Sequence, residues 1–257
     1  MKLNAATAMF PGETFEMALS LLSTGTVTDA GMPVSMDHIQ LCPQSHGKLS
    51  KQRLSGMQGT YPDSCFRLHA TCRLSVNGYR RYEASTPAAI GRSYFLEMAE
   101  LSQWIQAPAY SLHAGRRGEA TLKEMIRNVR DIQDLFACPV AVEGLYPTKG
   151  DTLLVSTWDE YRMLMESGLF YALDMSHLNI VATRLRTWDF GLVTALLENP
   201  NCLEVHVSSN NGYSDSHLPV DANHQPCWWP YLDSAGPNAV IFTESNQRRH
   251  GKMGVAA

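Results

Sequence analysis

The sequence predicts an α/β protein closed as a single (β/α)8 barrel, and three observations carry that expectation. Eight short apolar runs recur along the 257 residues, stretches with helical spacing lie between them, and no long linker, repeat or low-complexity tract interrupts the alternation. The length is ordinary for one closed barrel, so residues 1–257 are expected to form one domain.

The expected strands are Lys2–Thr7, Asp37–Leu41, Phe66–Ala70, Ala109–His113, Pro139–Glu143, Phe170–Asp174, Leu203–Val207 and Ala239–Glu244. Several are rich in Val, Leu and Ala without strict alternation, as suits strands buried on both faces. Between them, Tyr94, Met98, Leu101 and Ile105 recur at helical spacing, as do Leu122, Ile126, Val129 and Gln133, with Met125 and Ile132 flanking that face. Trp158, Tyr161 and Met165 predict a further helix stopped by Gly168, and Trp188 through Leu197 another, ended by Asn199-Pro200. An open doubly wound sheet is the competing arrangement, but no glycine-rich phosphate loop supports it.

Composition narrows the function classes. Hydrophobic residues make up 44% of the chain and charged residues 18%, which excludes a disordered, solvating polypeptide. A net charge of −4 announces no strongly basic surface for nucleic acid or membrane. No apolar run approaches the roughly 20 residues of a membrane span, and the first residues lack the layout of a signal peptide. A cytoplasmic protein with no membrane partner is the expectation. The six cysteines form no C-x-x-C pair; Cys65, Cys138 and Cys202 lie in or beside apolar runs and are expected to be small buried hydrophobes.

The chemistry is read from the residues that end the strands. Successive runs close on His69, His113, Glu143, Asp174 (with His177 three residues on), His206 (followed by Asp215-Ser216-His217) and Glu244. A parallel barrel opens all its strand C-termini onto one face, so these residues are expected to converge at one mouth. A lone histidine at a strand end is more often structural, and a lone carboxylate is more often a helix N-cap. Six consecutive strand ends bearing metal-competent side chains outweigh that reading. The other histidines, His38, His46, His224 and His250, are read as surface residues. Imidazoles and carboxylates without thiolates suit zinc, manganese or iron(II) in a catalytic site, and nine ligands exceed the needs of one ion. Two or three divalent ions are therefore expected, with Glu143 as a natural bridge; which metal they are the donor set leaves open.

The motifs FRLHATCRLS, YSLHAG, VAVEGL, ALDMSH, LEVHVSS, SDSH and FTES, in this order, resemble the xylose-isomerase-like TIM-barrel superfamily over nearly the whole chain. The endonuclease IV group within it implies a trinuclear zinc site of His69, His113, Glu143, Asp174, His177, His206, Asp215, His217 and Glu244. Three activities share such a scaffold. The abasic-site DNA endonuclease is disfavoured, because His206 is followed by Val207-Ser208-Ser209, the aromatic expected after His69 is replaced around Ala70-Thr71-Cys72, and the loop Pro43–Lys48 is only modestly suited to gripping phosphate, while Arg73, Arg80 and Arg81, which could supply positive charge, are expected to face solvent. The sugar isomerases and epimerases usually carry an arginine after the seventh strand, and residues 207–217 contain none. The third activity is that of multinuclear non-heme iron enzymes oxidising cysteine-containing peptides and related substrates. It is similar at Asp215-Ser216-His217-Leu218-Pro219-Val220 and is the preferred expectation. It implies a small-molecule or peptide substrate, with a partner protein for substrate delivery conceivable. Glu143, Glu244 and His217 are the expected catalytic residues.

Three aromatic and basic features stand outside this pattern. Trp228-Trp229 are expected to pack on the barrel wall at the start of the last helix. Tyr146 and Lys149 lie on the loop after Glu143, where they face substrate or solvent. The basic tail Gln247–Lys252 is expected to be solvated.

Overall fold

The computed structural model describes residues 1–71, 74–76 and 78–248. Eight parallel strands close into a barrel: β1 (Leu3–Ala6), β2 (Met32–Leu41), β3 (Cys65–His69), β4 (Tyr110–His113), β5 (Val140–Glu143), β6 (Phe170–Asp174), β7 (Cys202–Val207) and β8 (Val240–Thr243). Each pairs with its sequence neighbours, and β1 pairs with both β8 and β2, so the sheet has no free edge. All eight expected strands are present, most within one residue of the expected ends. β2 is the exception: it begins at Met32, five residues before Asp37, because Met32 and Pro33 also pair with Thr28–Asp29 in a short antiparallel turn. That turn is made by Ala30-Gly31 at positive φ, a signal that strand periodicity does not carry.

The helices wrap the outside: α1 (Phe15–Leu22), α2 (Lys51–Thr60), α3 (Arg92–Trp104), α4 (Leu122–Gln133), α5 (Trp158–Glu166), α6 (Met175–Leu185) and α7 (Phe190–Glu198). Their ends follow from local chemistry. Thr121 and Glu124 form a reciprocal cap at the start of α4, whose Met125, Val129 and Ile132 are fully buried. α5 starts on the Thr157 hydroxyl and ends before Gly168, whose φ of 74° permits the reversal. α7 begins at Phe190, not at Trp188, because the Asp189 side chain caps the Leu192 amide. The largest apolar cluster fills the layer between barrel and helices and includes Trp228 and Trp229 at the start of a 3-10 helix (Trp229–Ser234), as expected; two small clusters, Ala6 with Cys42 and Phe242 and Ala109 with Ala141 and Leu203, stand apart from it.

Two sets of expected exposures are corrected. His46 is buried: a single helical turn, Pro43–His46, sets its ring against Phe15 and between the carbonyls of Thr7 and Glu13, at 2.7 and 2.8 Å. His38 is half-buried within β2, whereas His224 is exposed and His250 lies outside the described residues. Cys202 is buried, but Cys65 and Cys138 are only half-buried, because each sits at the entrance of a strand rather than inside it. Of the basic tail, Arg248 is described and pairs with Glu13; Cys72, Arg73 and residues from 249 onward lie outside the described residues. Arg80 faces solvent.

Candidate metal centre

Strand register does most of the work of assembling the site. His113 lies directly beside Glu143 across β4 and β5, and His206 directly beside Asp174 across β7 and β6. Because all strands run the same way, their last residues share one rim. All nine candidate residues meet there, around a cavity of about 180 Å³ lined by His69, His113, Glu143, His177, Asp215, His217 and Glu244, with Gln44, Tyr82, Leu145, Tyr146 and Leu153 as its walls. Asp174 and His206 lie just beneath, 1% and 0% exposed.

Glu143 is the hub. Its Oε2 lies 2.7 Å from His69 Nε2 and 3.5 Å from His113 Nε2; its Oε1 lies 3.5 Å from His177 Nδ1 and 3.7 Å from His206 Nδ1. Three groups of donors fall within 4.8 Å of one another: His69, His113 and Glu143; His69, His206 and Glu244; and Glu143, Asp174 and His177. Asp215 and His217 extend the cluster, Asp215 Oδ2 being 3.4 Å from His177 Nε2 and 3.1 Å from His217 Nε2, while His217 Nδ1 lies 3.5 Å from Glu244.

Several of the donors are held from behind. His69 Nδ1–H donates to the carbonyl of Ala70 at 2.9 Å, and His177 Nδ1–H to that of Gly144 at 2.8 Å, which leaves Nε2 of both rings for the cavity. Asp174 is both an N-cap and a candidate ligand: Oδ1 accepts from the amides of Ser176 and His177, and Oδ2 faces His177 Nε2 at 3.5 Å. A new helix, α6, therefore starts on the site residue itself. The Asp215–His217 segment is fixed by paired bonds between Ser209 and Leu218 and by Asp29, which takes the Val220 amide and the hydroxyls of Thr243 and Ser245. His217 itself adopts a φ of 44°, a conformation rare for a residue with a side chain and kept where the surroundings enforce it.

The electrostatics follow from packing four carboxylates among five imidazoles. Burial works to raise the Glu143 carboxyl, but His113 and His206 outweigh it and hold the group well below its ordinary range. Burial opposes charge on His69 and His217, yet Glu143 and Asp215 respectively bring both up to about 9. His113, with burial dominant, falls to about 3 and is neutral. Burial raises Glu244, assisted by the charges of Glu143 and Asp174 against the pull of His206 and His217.

The residues fit bound metal ions. His206 Nδ1 is buried, aimed at Glu143 and Glu244, and has no hydrogen-bond partner. The donors are imidazole nitrogens and carboxylate oxygens, borderline to hard, of the kind that hold zinc, iron(II) or manganese. Sequence reasoning missed the layer below: Gln40, Arg67 and Glu204, all buried inside the barrel next to His206. The signal is present in the sequence, since charged and amide residues inside apolar strand runs are unusual, but it lies within the strands and not at their ends. Tyr146 does face the site, its ring 4.7 Å from that of His177, whereas Lys149 lines an adjoining cleft of about 440 Å³ that shares Tyr146 and Asp215 with the cavity.

The sequence matches no protein-family model and no curated protein. Solved structures are similar over nearly the whole chain. A D-tagatose 3-epimerase-like protein is 14% identical with a TM-score of 0.65, covering 98% of this chain and 94% of that one. The family 2 AP endonuclease from Brucella melitensis is 14% identical with a TM-score of 0.62, covering 96% and 94%. The IolI protein with a zinc atom is 12% identical with a TM-score of 0.64, covering 98% and 91%. At such identities the likeness shows the fold alone: a closed parallel (β/α)8 barrel of the kind these proteins share.

Proposed function

We propose that this protein is a multinuclear metal-dependent enzyme acting on a small polar substrate, with His69, His113, Glu143, Asp174, His177, His206, Asp215, His217 and Glu244 as its ligand set. The observation that carries this reading is Glu143, whose two oxygens face four different imidazoles, three from strand ends and that of His177 from the first turn of α6. A carboxylate so placed could be shared between two bound ions. A single catalytic ion takes about three protein donors beside an open position, and the further donors here line the same cavity, so isomerisation is the weaker reading even though epimerases share the fold.

Ions bound there would polarise substrate oxygens or, as iron, exchange electrons with dioxygen. The chain supplies the rest. Tyr146, Tyr82 and Leu145 narrow the mouth and exclude water from a bound substrate. Glu244, raised by burial, is suited to hold and release a proton beside the reacting atoms, and the half-exposed His217 connects the cluster to solvent. Iron-dependent oxidation of a small molecule or a peptide, cysteine-containing substrates included, is the chemistry we favour. It is supported by the Asp215-Ser216-His217 segment with its following Pro219-Val220 and by an all nitrogen and oxygen donor set. A zinc phosphoesterase, abasic DNA among its conceivable substrates, is the second reading. It is favoured by Lys149 and Arg184, which line the cleft opening at Asp215 and would suit a phosphate. Elemental analysis of anaerobically purified protein, paired with oxygen-uptake and phosphodiester-cleavage assays, tests this: iron with oxygen uptake supports oxidation, zinc with ester cleavage supports hydrolysis, and a protein without metal refutes both.

A further inference from the structure

Beneath the cavity, Gln40, Arg67, Glu204 and His206 form a buried polar layer whose exposures are 0%, 5%, 0% and 0%. Glu204 stands two residues before His206 on β7, so both side chains enter the barrel from the same strand face. Glu204 Oε1 faces the Arg67 guanidinium at 3.3 Å, and Arg67 also donates to the Leu203 carbonyl at 3.0 Å. Glu204 Oε2 accepts from the Gln40 amide at 2.8 Å and lies 3.2 Å from His206 Nε2. The Gln40 amide is oriented from its other side, its oxygen facing the Cys42 thiol at 3.7 Å.

His206 Nε2 therefore has two neighbours, Glu204 and, at 2.9 Å, the Gln40 nitrogen. If Nε2 accepted from Gln40, the ring proton would sit on Nδ1, facing carboxylates at 3.7 and 3.8 Å with no hydrogen bond, a buried donor left unmade. If Nε2–H donates to Glu204, the donor is satisfied by a charged acceptor, and the Nδ1 lone pair points at Glu143 and Glu244. A carboxylate accepts only, so Glu204 Oε2 can take both the Gln40 and the His206 donors, the shared acceptor holding the two donor nitrogens 2.9 Å apart. Burying a carboxylate costs several kcal/mol unless it is well partnered, and apolar side chains fill such a barrel layer without that penalty. The charge at this depth needs a reason.

We propose that Glu204 is a positioning residue for the metal centre: through Nε2–H it fixes the proton and the ring of His206 so that Nδ1 is presented as a ligand. His69 and His177 are held the same way by backbone carbonyls; His206, the most buried of the three, is held by a carboxylate, which makes its Nδ1 the stronger donor. The inference rests on the metal-centre reading.

The test uses the full chain with zinc as probe. Glu204→Gln, close in volume, is expected to weaken one zinc ion by about 10–100-fold in chelator competition. His206→Ala is expected to weaken the same ion, and the double variant to bind zinc no worse than His206→Ala alone. Zinc affinity in Glu204→Gln equal to wild type, or additive losses in the double variant, overturns the inference. A second measurement needs no variant: nitrogen-15 histidine spectra of the zinc-loaded protein are expected to show His206 bonded to metal through Nδ1 with its proton on Nε2, and bonding through Nε2 overturns it. A wild-type chain that takes up no zinc overturns the metal-centre reading and this inference together, whereas the preceding failures overturn the inference alone.

Discussion

Replacing Glu143 with alanine tests the electrostatic logic of the site in the metal-free protein. The carboxylate is 2% exposed as a residue and is the nearest acid to His69, whose displacement from 6.5 to about 9 it largely sustains against burial. At about 1.4 kcal/mol per pH unit that displacement corresponds to roughly 3 kcal/mol. Breaking a buried ion pair by deleting one partner costs about 3–5 kcal/mol, so the two routes agree in size. For a chain of this length each kcal/mol moves the melting temperature by about 2–4 °C, giving an expected loss of roughly 6–20 °C at pH 6. The sign follows from linkage. A histidine raised on folding contributes stability that is present below its ordinary 6.5 and lost as pH rises through about 9. The gap between chelator-treated wild type and Glu143→Ala is therefore expected to narrow between pH 7 and 10. Thermal unfolding followed by circular dichroism across that range measures it. A gap independent of pH, or a variant as stable as wild type at pH 6, would refute the reasoning.

Other outcomes follow from the same geometry. At pH 7 both His69 and His217 carry protons that an incoming ion displaces, so zinc uptake is expected to release protons and to strengthen as pH rises towards about 9; calorimetric heats that do not vary with the ionisation enthalpy of the buffer contradict this. Gly144→Ala places a Cβ 2.3 Å from the Tyr161 ring while the Gly144 carbonyl holds His177, so a loss of about 1–3 kcal/mol together with weaker metal retention is expected from unfolding and elemental analysis. Thr121→Ala removes the α4 cap far from the mouth, and it is expected to cost about 1 kcal/mol in denaturant unfolding with metal content unchanged.

The barrel was legible because its strands are buried on both faces and leave apolar runs that hydrophobic patterning finds. The candidate ligands were legible because a parallel barrel converts the last residue of each run into a neighbour of all the others. What sequence concealed has physical causes. α6 begins on Asp174 with no loop between, so the strand pattern runs directly into the helix and the residue reads as a ligand or a cap when it serves both. The hairpin Leu74–Val76 with Tyr79–Arg81 is three residues a side and too short for periodicity to register. His46 looked like a loop histidine because its burial comes from carbonyls distant in sequence, on Thr7 and Glu13. Glu204 escaped because its partners, Gln40 and Arg67, lie on strands far from β7 in sequence and meet only inside the closed barrel.

The most direct measurement is the number of metal ions per chain after anaerobic purification and desalting, compared between wild type and Glu143→Ala. Two or three ions in the wild type and a loss of more than one in the variant are expected, since Glu143 belongs to two of the three donor groups. One ion or none in the wild type, or an undiminished count in Glu143→Ala, contradicts the account.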